Sequence, residues 1–591
     1  MAQAVCSIIS RMKDFIYYFF LGREKVAFSQ LSKNGGRKYR AICLFWLLLS
    51  IAFSLLYGAI ALKQAFGSEY IVQDDARQHV FWMYRFLDPK LFPNDLIANY
   101  FQSVAPLGYK IVYAVPALFV IEPFLVNKLL PTCLGLITTC FSFAIFLELL
   151  PIPWGGFIAA TILNQNLWLQ DGLISATPKA FAIPLFLAFL YYYLKRSLWG
   201  VAISIALLGL FYPSLVFIAA GVLIWQLLPF SRGKQKGNYI LSCVGLLVAL
   251  VILLPYAISS SEYAPVITVA QARKLPEFVA GARAGFFDDN LWDFWFNGSR
   301  SGIKLSAALM PPLTYLAILL PVILKFPRIF PGVTRLNSKL KVLPELIIVS
   351  LLLFAIAHAV LFKLHLPSRY TQHTLKIAIV LAASIVTTLI FESLFGIFIK
   401  ESNKLKSLMA IATAFCLAAV LIFYPYFAKS FVWTQYITGD ATELYQFLQR
   451  QPKDTLIASL TSETDNLPSF TKRSILASRE YAIPYHTGYY FPFRQRAIDT
   501  IAAQYSPDIE VVKNFIRKYD VDLWLLETSG FTVEYLQGDR WIAQHQSITR
   551  EVTRSLQQGN TPALAAFIDR CSIFSDSRYD ILATECILSQ K

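Results

Sequence analysis

The chain has 591 residues, of which 56% are hydrophobic and 15% charged, and its mean hydropathy is +0.52. A water-soluble protein of this size could not bury so much apolar side chain, which excludes a soluble globular protein. The formal net charge of +16 would suit a nucleic-acid-binding protein, but many of the basic residues lie in short loops between apolar segments, as they do in membrane proteins. No nucleic-acid partner is therefore expected.

The first 40 residues are basic, and the apolar segment 41–62 follows them. This segment is too long, and lies too far from the start, to be a cleaved signal peptide, so we expect it to be retained as the first transmembrane span. Lysine and arginine accumulate on the cytoplasmic side of membrane proteins. The N-terminus is therefore expected in the cytoplasm and the loop 63–105 on the outer face.

Apolar segments recur to about residue 428 and predict an α-helical polytopic membrane domain, residues 41–428, with about 11–12 transmembrane helices. Segment 107–121 is predicted to cross inward to a cytoplasmic turn at Lys128. Segment 157–169 carries three consecutive polar residues and is not expected to span the membrane fully. The same rule places the loop 259–303, the turn 365–373 and everything after residue 428 on the outer face.

Two adjacent carboxylates, Asp74 and Asp75, open a short amphipathic helix in the first outer loop. Asp74 suits a helix N-cap, and Asp75 suits the first turn, where the helix dipole favours negative charge. The pair also suits a base or a metal ligand for chemistry at the outer face. Both interpretations stay open at this point.

Residues 429–591 predict a soluble α/β domain on the outer face. Short apolar segments at 455–460, 474–478 and 522–526 are typical of buried strands, and residues 572–588 are predicted to form a hairpin. Cys571 and Cys586 flank this hairpin. Outside the cytoplasm we favour a disulfide between them over two separate thiols.

A first span, an outer loop with the acidic motif Gln73-Asp74-Asp75-Ala76, many further spans and an outer α/β domain resemble the GT-C class of membrane glycosyltransferases. That class includes protein mannosyltransferases, aminoarabinose transferases and oligosaccharyltransferase. The resemblance implies transfer of a sugar from a polyprenyl-phosphate-linked donor, with Asp74 as the first catalytic candidate and Asp75 as the second. It leaves open whether a divalent metal is the cofactor.

Such a transferase needs cations to hold the leaving phosphate. The candidates for binding the donor phosphate are Arg369, His365, His373, Arg77 and Lys179. Arg369 is equally suited to anchoring the chain among lipid headgroups, and Lys179 lies where membrane-end lysines usually serve as anchors. Trp292 and Trp295 could stack on the substrate, although tryptophans at such positions more often form the aromatic belt at the membrane surface.

The alternative function is non-catalytic or transport, such as a flippase for lipid-linked saccharides or an assembly factor for envelope polymers. Transporters place ionisable groups near the middle of the membrane. Here the acids of the apolar region lie near span ends: Glu122, Glu148, Glu345 and Glu392. This distribution favours a site at the outer surface. The oligomeric state cannot be deduced from the sequence.

Overall fold

The computed structural model describes residues 33–228, 239–258 and 261–590. Most of the basic segment 1–40, and the basic residues of the predicted cytoplasmic loop near 232–236, lie outside the described residues. The fold is mainly helical, with a small sheet near the C-terminus.

Six helices are long and apolar enough to cross a membrane, with hydropathies from 1.9 to 2.6: Arg37–Ala65, Pro123–Leu149, Tyr239–Ile258, Ser338–Ala359, Pro367–Lys400 and Lys404–Phe427. Four apolar helices of 14 to 16 residues lie among them: Pro153–Trp168, Ala182–Lys195, Leu198–Phe211 and Ser214–Leu227. The apolar helical segment Pro312–Ile323 completes the set. These helices agree with the prediction of a polytopic integral membrane protein.

Shorter elements connect these helices. The short α-helices are Asp74–His79, Leu96–Val104, Leu107–Ala117, Asp171–Ile174, Val269–Ala272 and Leu305–Ala308. The 3-10 turns include Phe81–Phe86, Pro178–Phe181, Pro276–Phe278, Pro331–Arg335 and Pro367–Tyr370, and Asp293–Asn297 forms a π-helical turn.

The bundle has two distinguishable ends. At the end that faces the C-terminal domain, here called the domain end, Glu122 pairs with Lys472 of that domain (Nζ–Oε1 3.1 Å). Helix Pro123–Leu149 starts there and runs to the opposite end, where Glu148 pairs with Lys195 (2.6 Å) and Lys339 (2.5 Å).

The predicted span at 107–121 is therefore wrong, and so is the cytoplasmic turn at Lys128. Helix Leu107–Ala117 has 11 residues and is about 16 Å long, roughly half the thickness of the hydrocarbon core of a bilayer. Asn127, next to Lys128, donates a hydrogen bond to Ser175 O (2.8 Å) at the domain end. No crossing separates the first loop from this turn.

Helix Pro153–Trp168 makes the return crossing that the polar residues had argued against. Every residue of this helix is buried, and the three amides bond to neighbouring segments instead of breaking the helix. Asn164 donates to Thr139 Oγ1 (2.8 Å), Gln165 to Leu421 O (2.7 Å) and Asn166 to Ala307 O (2.9 Å). One predicted crossing is removed and one is added, so the side of the membrane predicted for every later loop is unchanged.

The C-terminal domain is built on a five-stranded mixed sheet. Its strands are β3 (Leu456–Ser459), β4 (Ser474–Ile475), β5 (Leu523–Glu527), β6 (Ser572–Ser575) and β7 (Tyr579–Ala583), in the order β4-β3-β5-β7-β6. Strand β3 is parallel to β4 and β5, whereas β7 is antiparallel to β5 and β6. The three predicted strand segments correspond to β3, β4 and β5.

Helices cover this sheet: Thr442–Gln449, Leu467–Thr471, Thr487–Tyr505, Ile509–Tyr519, Val533–Gly538, Arg540–Ala543, Gln546–Gln557, Ile568–Cys571 and Thr584–Ser589, with 3-10 turns Ser462–Asp465, Arg479–Tyr481 and Ala563–Phe567. The predicted hairpin ends early, because its last residues form helix Thr584–Ser589. Cys571 and Cys586 form a disulfide.

A separate two-stranded sheet joins the two halves of the chain. Strand β1 (Ile71–Gln73) of the first loop pairs antiparallel with β2 (Tyr436–Thr438), which begins the C-terminal region. This pairing sets the helix that carries the two aspartates directly beneath the C-terminal domain.

Candidate active site

Helix Asp74–His79 begins where strand β1 ends. Gln73 caps it, since its Oε1 accepts a hydrogen bond from Ala76 N (3.2 Å). The prediction that Asp74 is the N-cap is therefore wrong by one residue. Both aspartates lie in the first turn, where their charge complements the helix dipole.

The two aspartates face different surroundings. Asp74 forms an ion pair with Arg77, one turn along the same helix. Asp75 lines a cavity of about 260 Å³ at the domain end of the bundle. Of the two predicted catalytic residues, the structure thus places only Asp75 in a cavity that a substrate could enter.

Charged side chains from four segments of the chain line this cavity. Its cations are Lys179, Arg300, Lys304, Arg369 and Lys376, and its carboxylates are Asp75 and Asp171. Gln170, Gln372 and His373 are also in its wall. Lys179, Arg369 and His373, which are far apart in the sequence, are therefore brought together as predicted phosphate-binding candidates around Asp75.

Lys179 bridges the two carboxylates of the cavity. Its ammonium group pairs with Asp75 and with Asp171 (Nζ–Oδ2 2.6 Å), and all three side chains are partly exposed. Burial alone would raise the pKa of Asp75, but Lys179 outweighs it and holds the pKa of this carboxyl well below its ordinary value. Asp75 is therefore a carboxylate in the resting protein.

The other four cations form no ion pair with any carboxylate in the part of the chain that the structure describes. Lys376 donates to Gln170 Oε1 (2.8 Å), and Arg300 donates to Arg283 O (2.9 Å). The buried Nε of Arg369 has no hydrogen-bond partner. Burial lowers the pKa of Lys304, and the nearby Arg369 lowers it further.

A second cluster of charges lies beside the cavity and joins three segments. Glu480 of the C-terminal domain accepts hydrogen bonds from Arg77 Nη2 (3.1 Å) and from Arg283 Nη2 (2.6 Å). It also bonds to Gln78, and Arg77 donates to Asn466 Oδ1 (3.0 Å). Burial raises the pKa of Glu480 to about 8, although both arginines pull it down.

This cluster positions the cavity walls. Arg77 and Gln78 belong to the helix that carries Asp75, and the Arg283 carbonyl holds the cavity residue Arg300. Arg77, predicted to bind phosphate, does not line the cavity and instead connects the Asp75 helix to the C-terminal domain.

The remaining predicted residues lie elsewhere. His365 faces the ring of Tyr485 (5.9 Å between centroids) and does not line the cavity. Trp292 is 63% exposed and stacks on Phe296 (4.2 Å), and Trp295 packs on His358 (4.7 Å). Neither tryptophan reaches the cavity wall, and their exposed position is that expected of a membrane-surface belt.

The cavity residues do not fit a resident divalent metal. Lys179 already occupies the position between Asp75 and Asp171 that a shared cation would take. In addition, no group of three or more His, Cys, Asp or Glu among residues 33–228, 239–258 and 261–590 could hold a metal ion.

Sequence reasoning missed Asp171, Arg300, Lys304 and Lys376. One signal was available for Lys376, because a lysine within an apolar transmembrane segment is costly and often functional. Asp171 and Lys179 bond across eight residues that contain a proline turn, and no helical spacing indicates that pairing. Arg300 and Lys304 reach the cavity only through the path of an irregular loop.

Solved structures similar to this chain include the oligosaccharyltransferase of Archaeoglobus fulgidus in the apo form, with 12% identity and a TM-score of 0.53 over 85% of this chain and 72% of that chain. The A. fulgidus oligosaccharyltransferase AglB in complex with an inhibitory peptide and a dolichol-phosphate matches with 11% identity and a TM-score of 0.53 over 86% and 72%. ArnT from Cupriavidus metallidurans bound to undecaprenyl phosphate gives 12% identity and a TM-score of 0.44 over 92% and 99%.

The archaeal structures, whose TM-scores exceed 0.5, show that this chain shares the fold of the A. fulgidus oligosaccharyltransferase. The predicted fold class is thereby confirmed. No protein-family model and no curated protein matches the chain.

Proposed function

We propose that this protein transfers a sugar from a polyprenyl-phosphate-linked donor to an acceptor at the outer face of the membrane. One observation carries the proposal. A single cavity at the domain end of a GT-C fold combines the Asp75 carboxylate with four cations that have no acidic partner in the described chain. A carboxylate that can accept a proton and cations that can hold a phosphate are the two requirements of this transfer.

In the proposed reaction the acceptor hydroxyl attacks C1 of the sugar while the bond from C1 to the phosphate oxygen breaks. Arg369 and Lys376 are placed to hold the phosphate as it gains charge. Asp75 receives the proton of the acceptor, and the single displacement inverts the configuration at C1. The second carboxylate of the proposed site is Asp171, whereas the sequence predicts Asp74.

Lys179 connects the two parts of this mechanism. While it pairs with Asp75, that carboxyl has a low pKa and is a weak base. A donor phosphate in the cavity competes for the same ammonium group. As Lys179 turns toward the phosphate, the pKa of Asp75 rises and the carboxylate becomes able to accept the proton.

The distribution of charge supports an outer location for the site. The end of the bundle opposite the cavity is rich in cations, with Lys195, Arg335 and Lys339 all in ion pairs there. The positive-inside rule assigns that end to the cytoplasm. The cavity and the C-terminal domain then face the periplasm or an equivalent outer compartment.

The full chain, returned to liposomes with a lipid extract of its own host membranes as the source of donors and acceptors, tests the proposal. We expect Asp75→Asn to lower release of free polyprenyl carrier by roughly 10²- to 10⁴-fold. Asp74→Asn is the matched control, because Asp74 lies one residue away but outside the cavity. Undiminished release by Asp75→Asn would refute the assignment, and movement of the lipid-linked sugar across the bilayer without release would favour a transporter.

A further inference from the structure

The cavity carries more positive charge than its carboxylates can neutralise. Five cations and two carboxylates line it, a surplus of three. Before a ligand binds, Lys179 pairs with both carboxylates, and the cations without an acidic partner in the described chain are Arg300, Lys304, Arg369 and Lys376. Like charges held in a cavity of about 260 Å³ repel one another, and an anion that fills the cavity relieves that repulsion.

The number of hydrogen-bond donors points in the same direction. Arg300 and Arg369 each present a planar fork that suits two oxygens, and Lys304 and Lys376 add two ammonium groups. A phosphodiester has only two unbridged oxygens, so the four cations would have to share them. A diphosphate diester has four.

From this charge and donor count we infer that the cavity binds a diphosphate, so that the donor is a sugar linked to its polyprenyl carrier through a diphosphate. The inference rests on the proposed function and specifies its donor. A phosphodiester carries about one negative charge and a diphosphate diester about two. The second phosphate brings the negative charge of the ligand closer to the surplus positive charge of the cavity.

The leaving group carries more negative charge than the donor. As the acceptor oxygen bonds to C1, the bond between C1 and the outer phosphate oxygen breaks, and its electron pair stays on that oxygen. The acceptor proton goes to Asp75, and the departing polyprenyl diphosphate bears about three negative charges. With Asp75 protonated, five cations and one carboxylate leave a surplus of four positive charges. This surplus stabilises the departing group more than the less negative donor, which lowers the barrier.

Farnesyl diphosphate and farnesyl monophosphate test the inference as short-chain probes of the full-length protein in detergent. Their dissociation constants are measured by calorimetry. We expect the diphosphate to bind roughly tenfold tighter or more, since it adds charge-assisted hydrogen bonds. Lys304→Gln is expected to narrow this ratio, whereas Lys453→Gln, which removes an exposed partner of Asp88, is expected to leave it unchanged.

The results separate the inference from the function on which it rests. Equal binding of the two probes, together with carrier release from a monophosphate-linked sugar, would overturn the diphosphate and leave the transferase intact. Binding of neither probe would overturn both. Inorganic pyrophosphate is the third probe. If it bound more tightly than farnesyl diphosphate, the site would be one for a free diphosphate, and the lipid-linked donor would be refuted.

Discussion

Replacing Arg77 with methionine distinguishes a structural role for this residue from the phosphate-binding role predicted from the sequence. Arg77 is 8% exposed and bonds to Asp74, Asn466 and Glu480. Methionine retains most of the apolar volume and removes all three bonds. If Arg77 ties the Asp75 helix to the C-terminal domain, its loss destabilises the protein instead of merely weakening donor binding.

The magnitude follows from the three contacts. Asp74 is partly exposed, so that pair contributes about 0.5 kcal/mol. The bond to buried Asn466 contributes roughly 1.5 kcal/mol, and the bond to Glu480 contributes about 2 kcal/mol when the glutamate is charged. We expect a loss of about 4 kcal/mol in the free energy of unfolding when Glu480 is ionised, within the range found for broken buried pairs.

The loss should also depend on pH. Burial raises the pKa of Glu480 in the folded protein to about 8, whereas an unfolded glutamate titrates near 4.3. The folded state therefore holds the extra proton between these values, and stability declines as pH rises through this window. Without Arg77 the ionised form is favoured even less, so the cost of Arg77→Met rises from about 2 kcal/mol at pH 6.5 to about 4 kcal/mol at pH 9.

Thermal unfolding of the full chain in detergent at pH 6.5 and pH 9 measures the loss of stability caused by Arg77→Met. Arg578→Met is the matched control, because Arg578 also bridges to an aspartate, Asp440 (2.9 Å), but on the exposed surface. It should cost less than about 1 kcal/mol at either pH. A variant of Arg77 that is no less stable than the Arg578 variant, or that loses the same amount at both pH values, would refute the reasoning.

Two further predictions concern the cavity and the helix that carries Asp75. Carrier release should persist in EDTA, because Lys179 supplies the cation between Asp75 and Asp171; loss of release in EDTA that Mg²⁺ or Mn²⁺ restores would contradict this. Burial lowers the pKa of His79 to about 4, and an unfolded histidine titrates near 6.5. The unfolded state thus binds more protons between these values, and the stability that neutral His79 contributes is lost as pH falls from 6.5 through about 4. Melting temperatures of His79→Gln should show a weaker decline over this range than those of the wild type.

Hydropathy and charge predicted the membrane domain well because each apolar helix must satisfy the same length requirement in a bilayer. They failed at 107–121 and 157–169 for one reason. An apolar segment need not cross, and a segment with polar side chains can cross when it is enclosed by other helices. Asn164, Gln165 and Asn166 are buried and hydrogen-bonded to three different partners, and those partners cannot be identified from the local sequence.

The site was predictable only in part. An acidic pair in the first outer loop pointed to the correct helix, but the choice between Asp74 and Asp75 depends on which way each side chain leaves the first turn. Arg77 forms an ion pair with Asp74, and Lys179 forms one with Asp75. Arg300 and Lys304 lie in an irregular loop. Its path is set by long-range contacts such as that of Arg283 with Glu480. The hydrophobic periodicity of the sequence does not predict such contacts.

Topology is the premise that the chemistry depends on, and it can be tested without a substrate. Glu510 and Ser402 are both exposed, the first on the C-terminal domain and the second between helices Thr374–Lys400 and Lys404–Phe427 at the opposite end of the bundle. In intact cells a membrane-impermeant maleimide should label Glu510→Cys, whereas Ser402→Cys should react only after the membrane is opened. The unmodified chain measures the background from its own cysteines.

The expected asymmetry has a physical cause. Helix Thr374–Lys400 begins at the cavity and ends beside Ser402, so the two positions lie on opposite sides of the hydrocarbon core if this helix spans it. Lysines 400, 404 and 406 surround Ser402 and hold that end in the cytoplasm. Labelling of Ser402→Cys alone in intact cells would place Asp75 and Glu510 in the cytoplasm, which is the wrong side for an outer-face transferase. Labelling of both positions would show that this helix does not separate them across the membrane, and would contradict the topology on which the proposal depends.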